Sequence, residues 1–291
     1  MPDRRSGAVC GLSYMSLRQV PDTFDRRALA EIDRRLAEIK QDRGVHIPLA
    51  IESGSRAWGF PSPDSDYDCR FFYVRPVDAH LTPWPERDVI ETPLIDDIDL
   101  NGWDLAKALG LLLKGNAVVI EWLTSPICYE GEGWFRDECL AFARRHARRN
   151  LVAHHYLHLG LRQNERHLEG NVDVPLKKLF YCIRPAAALR WLRLHPEASV
   201  APMHFQSLMD ESEPPAAVLT LVEDLVAAKS RTRELGEAPL PPEIADFIRT
   251  EFQLAADWIS AATEDGSQAK KARADAADFY RYVVTRLDSR T

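Results

Sequence analysis

The sequence predicts an α/β protein, in which a small mixed sheet is followed by a long helical region. Two short apolar segments with strand character lie between residues 45 and 75, and turn residues separate them, which is typical of paired strands. From Trp134 onward the chain has the apolar spacing of successive helices. Proline-rich joints at 214–215 and 239–242 divide those helices.

These signals divide the chain into three parts. We expect a flexible N-terminal tail over residues 1–20, a mixed-sheet domain over 21–130 and an α-helical domain over 131–291. Met15 offers a second candidate start within the tail. The boundary near residue 130 follows from the change from alternating strands and helices to helices alone.

The first helix is predicted to begin near Phe24 and to end at Gly44. Apolar residues recur at helical spacing between these positions, and glycine commonly ends a helix. The apolar segment 45–53 then follows as the first strand.

A turn is predicted at Gly54 and Ser55, directly after the first strand. A short helical turn is expected to run from there to Phe60, and a loop rich in Pro, Ser and Asp follows it. The second strand is predicted over residues 68–75, closed by Pro76.

Asp66 and Asp68 stand one residue apart at the start of the second strand. Side chains at positions i and i+2 of a strand share a face, so the two carboxylates should converge. Mg²⁺ is usually held by one or two carboxylates and substrate phosphates, and a Gly-Ser turn can cradle a phosphate. A solvated turn would explain a lone Asp-x-Asp, but its combination with Gly54 and Ser55 predicts a site for phosphate and metal.

The stretch GSRAWGFPSPDSDYDCRFFYV, together with DIDLNGWDLAKALGLLLKGNAVVIEWLTSPICY, resembles the DNA polymerase β-like nucleotidyltransferase superfamily. The two stretches are most similar to the branch of predicted nucleotidyltransferases that includes RNA-ligase-associated proteins of RNA repair. The resemblance implies a sheet of polymerase β type, an NTP such as ATP as the bound substrate, and Mg²⁺ or Mn²⁺ as the cofactor.

The resemblance also implies a third carboxylate on a strand beside the Asp-x-Asp strand. Asp97 and Asp99 alternate with apolar residues, so both could face inward, and the resemblance favours Asp99. We therefore expect Asp66, Asp68 and Asp99 to be the catalytic and metal-binding residues.

A helix should follow this third strand. Asp104 precedes the helical segment and is expected to cap its N-terminus. The helix is expected to end at Gly115 and Asn116, with Asn116 in a C-terminal cap.

Four residues near the Asp-x-Asp motif are candidates for NTP binding. Gly54 and Ser55 are expected to hold the phosphate tail. Arg56 and Arg70 are expected to contact phosphate in a secondary role. Arg70 lies two residues after Asp68, so pairing with an acid of the site is an alternative.

The pattern KKxxYxxRP in the helical region resembles the family's C-terminal part and supplies the remaining nucleotide-binding candidates. Lys177, Tyr181 and Arg184 lie on one face of the predicted helix, with Lys178 beside them. Cations suit a triphosphate, and a tyrosine suits stacking or a ribose contact. A solvated lysine pair and a buried tyrosine are the alternative.

A zinc site is a weaker alternative, based on the histidines at 154, 155 and 158. Zinc sites usually combine histidine with cysteine or carboxylate ligands. Because no such residue lies at ligand spacing, ordinary helix packing is the favoured interpretation.

The charge distribution is uneven. The whole chain carries a formal net charge of −7. Residues 140–195 contain eleven Lys or Arg against three acids, whereas residues 196–291 contain ten against seventeen. The segment 140–195 is therefore the candidate surface for RNA, although arginines on helices are often simply solvated.

The composition is typical of a globular protein of the cytoplasm. None of the apolar runs reaches the roughly 20 residues needed to cross a bilayer, and the N-terminus lacks the apolar segment of a signal peptide. The five cysteines are scattered and form no C-x-x-C pair, so we expect them to be reduced and mostly buried.

Taken together, the sequence predicts transfer of a nucleoside monophosphate from an NTP to an acceptor hydroxyl, most plausibly at an RNA end. Nucleotidylation of a protein or a small molecule is one alternative. A nucleotide-binding module without turnover is another. The NTP used and the oligomeric state are left open.

Overall fold

A computed structural model describes residues 17–233, 235–261 and 266–289 of the chain. Most of the predicted tail, including Cys10 and Met15, lies outside the described residues. Leu17 and Gln19 are described, and their backbone N–H groups donate to the carbonyls of Gly131 and Cys128 at 2.7 and 2.8 Å. These two residues therefore extend the edge of the sheet and do not belong to a tail.

The described residues form a five-stranded sheet, a two-stranded sheet and eleven α-helices. The first part of the chain contains α1 (Arg26–Arg43), β1 (His46–Glu52), α2 (Gly54–Trp58), β2 (Tyr67–Val74), a 3₁₀ turn (Val77–His80), β3 (Val89–Glu91), β4 (Ile98–Asp104), α3 (Leu105–Leu113), α4 (Ala117–Thr124) and β5 (Cys128–Gly131). The second part contains α5 (Gly133–His146), α6 (Arg149–His167), β6 (Asp173–Pro175), α7 (Leu176–Leu194), α8 (Phe205–Ser212), α9 (Ala216–Lys229), β7 (Glu237–Pro239), α10 (Pro242–Ser260) and α11 (Gly266–Asp288).

The large sheet is mixed, as the sequence predicts. Its strand order is β3-β4-β2-β1-β5. Strands β2 and β4 are parallel, and the other neighbours are antiparallel. In the parallel pair Asp68 lies opposite Asp99, so the two strands bring these carboxylates to the same edge of the sheet.

Helix α1 confirms the predicted start and end. The Asp25 side chain accepts a hydrogen bond from the backbone N–H of Arg27, which satisfies one of the free donors of the first turn. Gly44 ends the helix in the left-handed region, at φ +57°, where a residue without Cβ has no steric penalty. Ile32 and Leu36 are fully buried against the sheet.

Strand β2 divides its side chains between the two faces of the sheet, as strand geometry requires. Phe71 and Tyr73 pack on the side of α1. Phe72 and Val74 pack into the larger apolar cluster on the helical side. That cluster also contains side chains of α5–α11, so sheet and helices share one core, and the domain division at residue 130 stays a prediction.

The connection between β4, α3 and α4 contains one confirmed cap and one correction. Asp104 caps α3 by accepting from the Ala106 N–H at 2.8 Å. Asn116 was expected at a C-terminal cap, and this expectation is wrong, because its side chain accepts from the Val118 N–H at 2.9 Å and caps the N-terminus of α4. Helix α3 ends two residues earlier than Gly115.

In the part of the chain that the structure describes, no helix has both the length and the apolar composition needed to span a membrane. The four described cysteines are buried and unpaired, in agreement with the predicted reduced state. The predicted helical region beyond Trp134 is confirmed, apart from the short strands β6 and β7.

Candidate active site

The Gly-Ser turn and the Asp-x-Asp strand are in direct contact. Gly54 begins α2 with φ +60°. A Cβ atom at this position would lie 2.0 Å from Oδ2 of Asp68, which is far inside van der Waals contact. Only glycine therefore allows the turn to approach the carboxylate this closely.

The loop between α2 and β2 is held by Arg56. Its Nε donates to the Asp66 carbonyl at 3.0 Å and its Nη2 to the Ser65 carbonyl at 2.6 Å. The guanidinium also lies over the Tyr67 ring, 4.0 Å from the centroid. Ser55 Oγ donates to Ser65 Oγ at 2.9 Å. Ser55 and Asp66, which these contacts hold, line the same cavity.

Arg70 connects the carboxylates of the two parallel strands. Its Nη2 lies 3.0 Å from Oδ1 of Asp68 and 2.7 Å from Oδ2 of Asp99. Burial raises the pKa of Asp68, Arg70 opposes the rise, and the charges of Asp99 and Asp66 add to it. The guanidinium thus lies between two carboxylates, where it balances their charge. This is the pairing with an acid of the site that was considered for Arg70 as the alternative to phosphate binding.

Among residues 17–233, 235–261 and 266–289, no three His, Cys, Asp or Glu side chains are grouped as a metal site. The donor chemistry at this edge of the sheet nevertheless suits Mg²⁺ or Mn²⁺, because such ions are often held by one or two carboxylates and completed by substrate phosphates. Asp66 and Asp68 border one cavity, and Asp99 is adjacent to Asp68. The like charges that raise the pKa of Asp68 are those a bound cation would neutralise.

Glu52 is a residue of this site that the sequence interpretation missed. It is fully buried at the end of β1, and its Oε1 accepts from the backbone N–H of Asp68 at 3.0 Å. The Tyr129 hydroxyl donates to its other oxygen. Burial raises the Glu52 pKa to about 8. Glu52 therefore holds the backbone of Asp68 in place, although it does not line the cavity itself.

A polar cavity of about 500 Å³ opens in front of the two motifs. Its lining combines the motif residues with side chains from α7 and α9: Gly54, Ser55, Asp64, Ser65, Asp66, Asp68, Lys177, Lys178, Tyr181 and Lys229. Burial raises the Tyr181 pKa, and the nearby Asp68 and Asp66 add to the rise. Three of the predicted nucleotide-binding residues in α7 thus face the carboxylates, at a site with both cations and anions.

Lys229, at the end of α9, is a second residue that the sequence interpretation missed. Only 3% of it is exposed, and its Nζ donates to the Phe60 carbonyl at 2.6 Å. Burial lowers the Lys229 pKa to about 8, and the neighbouring Lys177 lowers it further. Burial of a lysine in the wall of a polar cavity is costly without an anion, which makes Lys229 a candidate for phosphate binding.

Arg184 lies on a separate, apolar cavity of about 250 Å³. It is buried, its Nη2 donates to Oε1 of Glu121 at 3.2 Å, and its guanidinium lies 4.2 Å from the centroid of the Trp58 ring. The two cavities share Gly54, Trp58, Asp68, Phe180 and Tyr181. Arg184 is thus beside the predicted phosphate site and not within the lysine-lined cavity.

The basic segment 140–195 is only partly available to a partner. Arg149 donates to the Leu192 carbonyl, and Arg190 and Arg193 both bind Glu251. The exposed arginines of the segment are found on α5 and α6, namely Arg144, Arg145, Arg162 and Arg166. The charge balance of the sequence therefore overstated the basic surface.

The three histidines of α6 do not form a metal cluster with other described residues. His154 and His158 are exposed on the outer face of the helix. His155 borders the apolar cavity, and its burial lowers its pKa. The packing interpretation therefore applies to His155, whereas His154 and His158 are exposed.

A mixed sheet that brings a Gly-Ser turn against an Asp-x-Asp strand is the arrangement of polymerase β-like nucleotidyltransferases. A family model described as "RNA repair pathway DNA polymerase beta family" matches residues 29–281. The chain belongs to this family.

A curated relative of this chain is described as an uncharacterized protein. The chain is 40% identical over 219 residues to the uncharacterized protein YcgL of Bacillus subtilis strain 168. The matched region covers 75% of this chain and 83% of the relative. The similarity therefore supports the family and leaves the substrates to be argued from the site.

Proposed function

We propose that the chain transfers a nucleoside monophosphate from an NTP to the hydroxyl of an RNA end. One observation carries the proposal: the Gly54-Ser55 turn, the Asp66 and Asp68 carboxylates and the lysines of α7 border the same polar cavity. A triphosphate needs cations and close backbone N–H groups. A transfer reaction also needs carboxylates that hold metal ions beside the reacting phosphorus.

In the proposed reaction the acceptor oxygen attacks the α-phosphorus of the NTP. The new P–O bond forms as the bond to the β-phosphate breaks, and pyrophosphate leaves. Asp99 is proposed to orient the acceptor hydroxyl and to accept its proton. Most of the rate enhancement then comes from positioning and from stabilisation of charge.

The phosphate tail is assigned to the polar cavity. Gly54 and Ser55 approach it through the backbone and a hydroxyl, and Lys177 and Lys178 supply charge from α7. Tyr181 separates the polar and apolar cavities and can contact the ribose. Arg56 supports the turn by holding the adjacent loop.

Asp66 and Asp68 would hold Mg²⁺ or Mn²⁺, with Asp99 completing the ligand set. When bound, the ions supply Lewis-acid stabilisation of the phosphoryl oxygens. The Arg70 guanidinium balances Asp68 and Asp99 in the free protein. It can turn toward a phosphate when a cation takes its place.

RNA as the acceptor is supported by the family description and by the exposed arginines of α5 and α6. Arg162 and Arg166 follow the exposed face of α6, whose other face borders the apolar cavity through Gln163. An RNA end could therefore reach the carboxylates with its backbone along α6. A protein or small-molecule acceptor remains the second candidate, favoured by the net charge of −7.

The test is incubation of the protein with α-³²P-labelled NTPs, Mg²⁺ or Mn²⁺, and either an RNA pool or a cell lysate. We expect label on RNA and release of pyrophosphate. The variants Asp66→Ala and Asp68→Ala should fold and lose turnover. Wild-type pyrophosphate release by the double variant would refute the catalytic assignment. Label on protein alone would refute RNA as the acceptor.

Salt dependence gives an independent measure of the acceptor. Binding to RNA through several phosphates weakens steeply as salt increases, because condensed counterions are released on binding. A small acceptor would show a weak dependence. A flat salt response of acceptor binding would therefore favour the small-molecule alternative.

A further inference from the structure

We propose that the apolar cavity between α2, α4, α6 and α7 is a nucleobase pocket that recognises hydrogen-bond acceptors of the NTP base. The proposal rests on the proposed function, because it takes the phosphate tail to lie in the adjoining polar cavity. It adds a binding site for the part of the substrate that the lysines and carboxylates do not contact.

The walls of the cavity suit a flat aromatic ligand. Trp58, Phe180 and Tyr181 line it together with aliphatic side chains, and the exposed lining is mainly apolar. Trp58 and Tyr181 meet edge to face, with their ring centroids 6.0 Å apart. Aromatic rings and guanidinium planes bind nucleobases by stacking, largely independently of sequence.

Two residues that line this cavity carry a buried hydrogen-bond donor without an acceptor among the described residues. The indole Nε1 of Trp58 and the Nε of Arg184 are both buried without a hydrogen-bond partner, and both residues line the cavity. A buried donor without an acceptor destabilises the folded protein. A ligand that brought acceptors into the cavity would satisfy these donors.

The Arg184 side chain is fixed in place for this role. Its Nη2 donates to Oε1 of Glu121 at 3.2 Å, and Glu121 also accepts from the Tyr156 hydroxyl at 3.2 Å. The guanidinium lies over the Trp58 ring. Because these contacts use other atoms of Arg184, the Nε–H is left for a ligand.

The chemistry of the donors identifies the class of ligand. Purine ring nitrogens, the guanine carbonyl and the pyrimidine carbonyls are acceptors of N–H groups. Gln163, which also lines the cavity, can both donate and accept. The pocket would therefore distinguish bases by the positions of their hydrogen-bond acceptors. Stacking on the aromatic rings would contribute to the binding of every base.

The position of the cavity fits an NTP that spans both parts of the site. The two cavities meet at Trp58, Asp68 and Tyr181. The apolar cavity measures about 250 Å³ and the polar cavity about 500 Å³, within the range of about 300–1,000 Å³ for small-molecule sites when they are filled together. A base on one side of Asp68 and a triphosphate on the other would place the α-phosphate beside the carboxylates.

The experiment compares dissociation constants of the four ribonucleoside triphosphates with that of inorganic tripolyphosphate, which has the charged tail and no base. We expect the wild-type protein to bind at least one NTP about tenfold or more tighter than tripolyphosphate. Trp58→Phe keeps an aromatic ring and removes the N–H. It should raise the dissociation constant of that NTP about five- to tenfold, as expected for the loss of one net hydrogen bond. The dissociation constant of tripolyphosphate should be unchanged.

Trp258→Phe is the matched control. The Trp258 indole N–H is also buried without a partner, but the residue lies in α10, outside both cavities. Its replacement should alter neither affinity. If Trp58→Phe does not fold, Gln163→Leu serves as the second variant, with the same selective loss of NTP affinity expected.

The outcomes separate this proposal from the proposed function. Base-dependent NTP binding without pyrophosphate release would support the pocket and refute the transfer reaction. Pyrophosphate release with equal binding of every NTP and tripolyphosphate would refute the pocket alone. A third outcome would also refute the pocket for the NTP base. If Trp58→Phe weakened the binding of a short oligoribonucleotide and of no NTP, the cavity would hold a base of the acceptor.

Discussion

Gly54 and Asp68 are packed so closely that a methyl group at residue 54 would lie 2.0 Å from the Asp68 carboxylate. The contact joins the Gly-Ser turn to the Asp-x-Asp strand, so a side chain at residue 54 would displace one or the other. The geometry of the whole proposed site therefore depends on the absence of one Cβ atom.

Gly54→Ala should fold and lose at least about 100-fold in NTP turnover, because displacements near 1 Å can have effects of this size. The measurement is pyrophosphate release beside a thermal melt. Gly44→Ala is the control, since Gly44 has φ +57° and nothing within 4 Å of the added Cβ. Both variants should lose about 1 kcal/mol of stability from the left-handed backbone, and Gly54→Ala should lose more because its Cβ overlaps with Asp68. Equal turnover in the two variants would contradict the role of the Gly54–Asp68 contact.

Arg70→Met should lower the Mn²⁺ concentration that gives half-maximal pyrophosphate release, by about three- to tenfold. The guanidinium lies within 3.0 Å of both Asp68 and Asp99 and competes with a cation for the same charges. Arg70→Lys retains the positive charge and should stay closer to the wild type. A higher Mn²⁺ requirement in Arg70→Met would mean that Arg70 assists metal binding and does not compete with it.

The sequence predicted those parts of the site that depend on neighbours along the chain. Strand β2 follows from its apolar run, and the α2 turn from Gly54 and Ser55. The position of Asp99 opposite Asp68 came from the family resemblance, because strand order is set by contacts that periodicity does not contain. The Asn116 cap was misassigned because a cap residue between two helices fits the end of one as well as the start of the next.

Glu52 and Lys229 were missed for a different physical reason. Within β1, Glu52 has the spacing of a solvated strand residue, and only the packing of Tyr129 and the Asp68 backbone around it reveals its burial. Lys229 lies 169 residues from Phe60, whose carbonyl it contacts. Arg184 had the spacing of a phosphate ligand, whereas its pairing with Glu121 depends on the docking of α4 on α7.

Lys229→Met should raise the KM for NTP about tenfold or more below pH 8, as expected for loss of a charged hydrogen bond to phosphate. The free energy of unfolding should stay equal or increase, because a buried charge is removed. Lys270→Met makes the same charge change at an exposed site on α11 and should alter neither quantity. Unchanged KM in Lys229→Met would exclude Lys229 from phosphate binding.

The same lysine predicts a pH dependence of NTP affinity. The Lys229 pKa is lowered to about 8, so the free protein loses this charge as pH rises through 8, and wild-type affinity should fall there. Lys229→Met should lack this component. The charged or titratable groups that face Lys229 across the cavity are Asp64, Asp66, Asp68, Lys177, Lys178 and Tyr181. The measurement is the dissociation constant of one NTP between pH 7 and pH 9.5 in both proteins.

Glu52→Gln tests the buried acid beneath Asp68 through stability. Burial raises the folded-state pKa of Glu52 from its ordinary 4.5 to about 8, so between these values the folded protein binds more protons than the unfolded chain. The Glu52 contribution to the free energy of unfolding is therefore complete below pH 4.5 and is lost as pH rises through 8. Because glutamine does not titrate, Glu52→Gln should gain stability relative to the wild type as pH rises from 5.5 to 8.5, by on the order of 3 kcal/mol. Urea unfolding at both pH values measures the change, and Glu138→Gln, on the exposed face of α5, should show no such gain. Parallel pH dependences of Glu52→Gln and the wild type would mean that Glu52 is ionised in the folded protein.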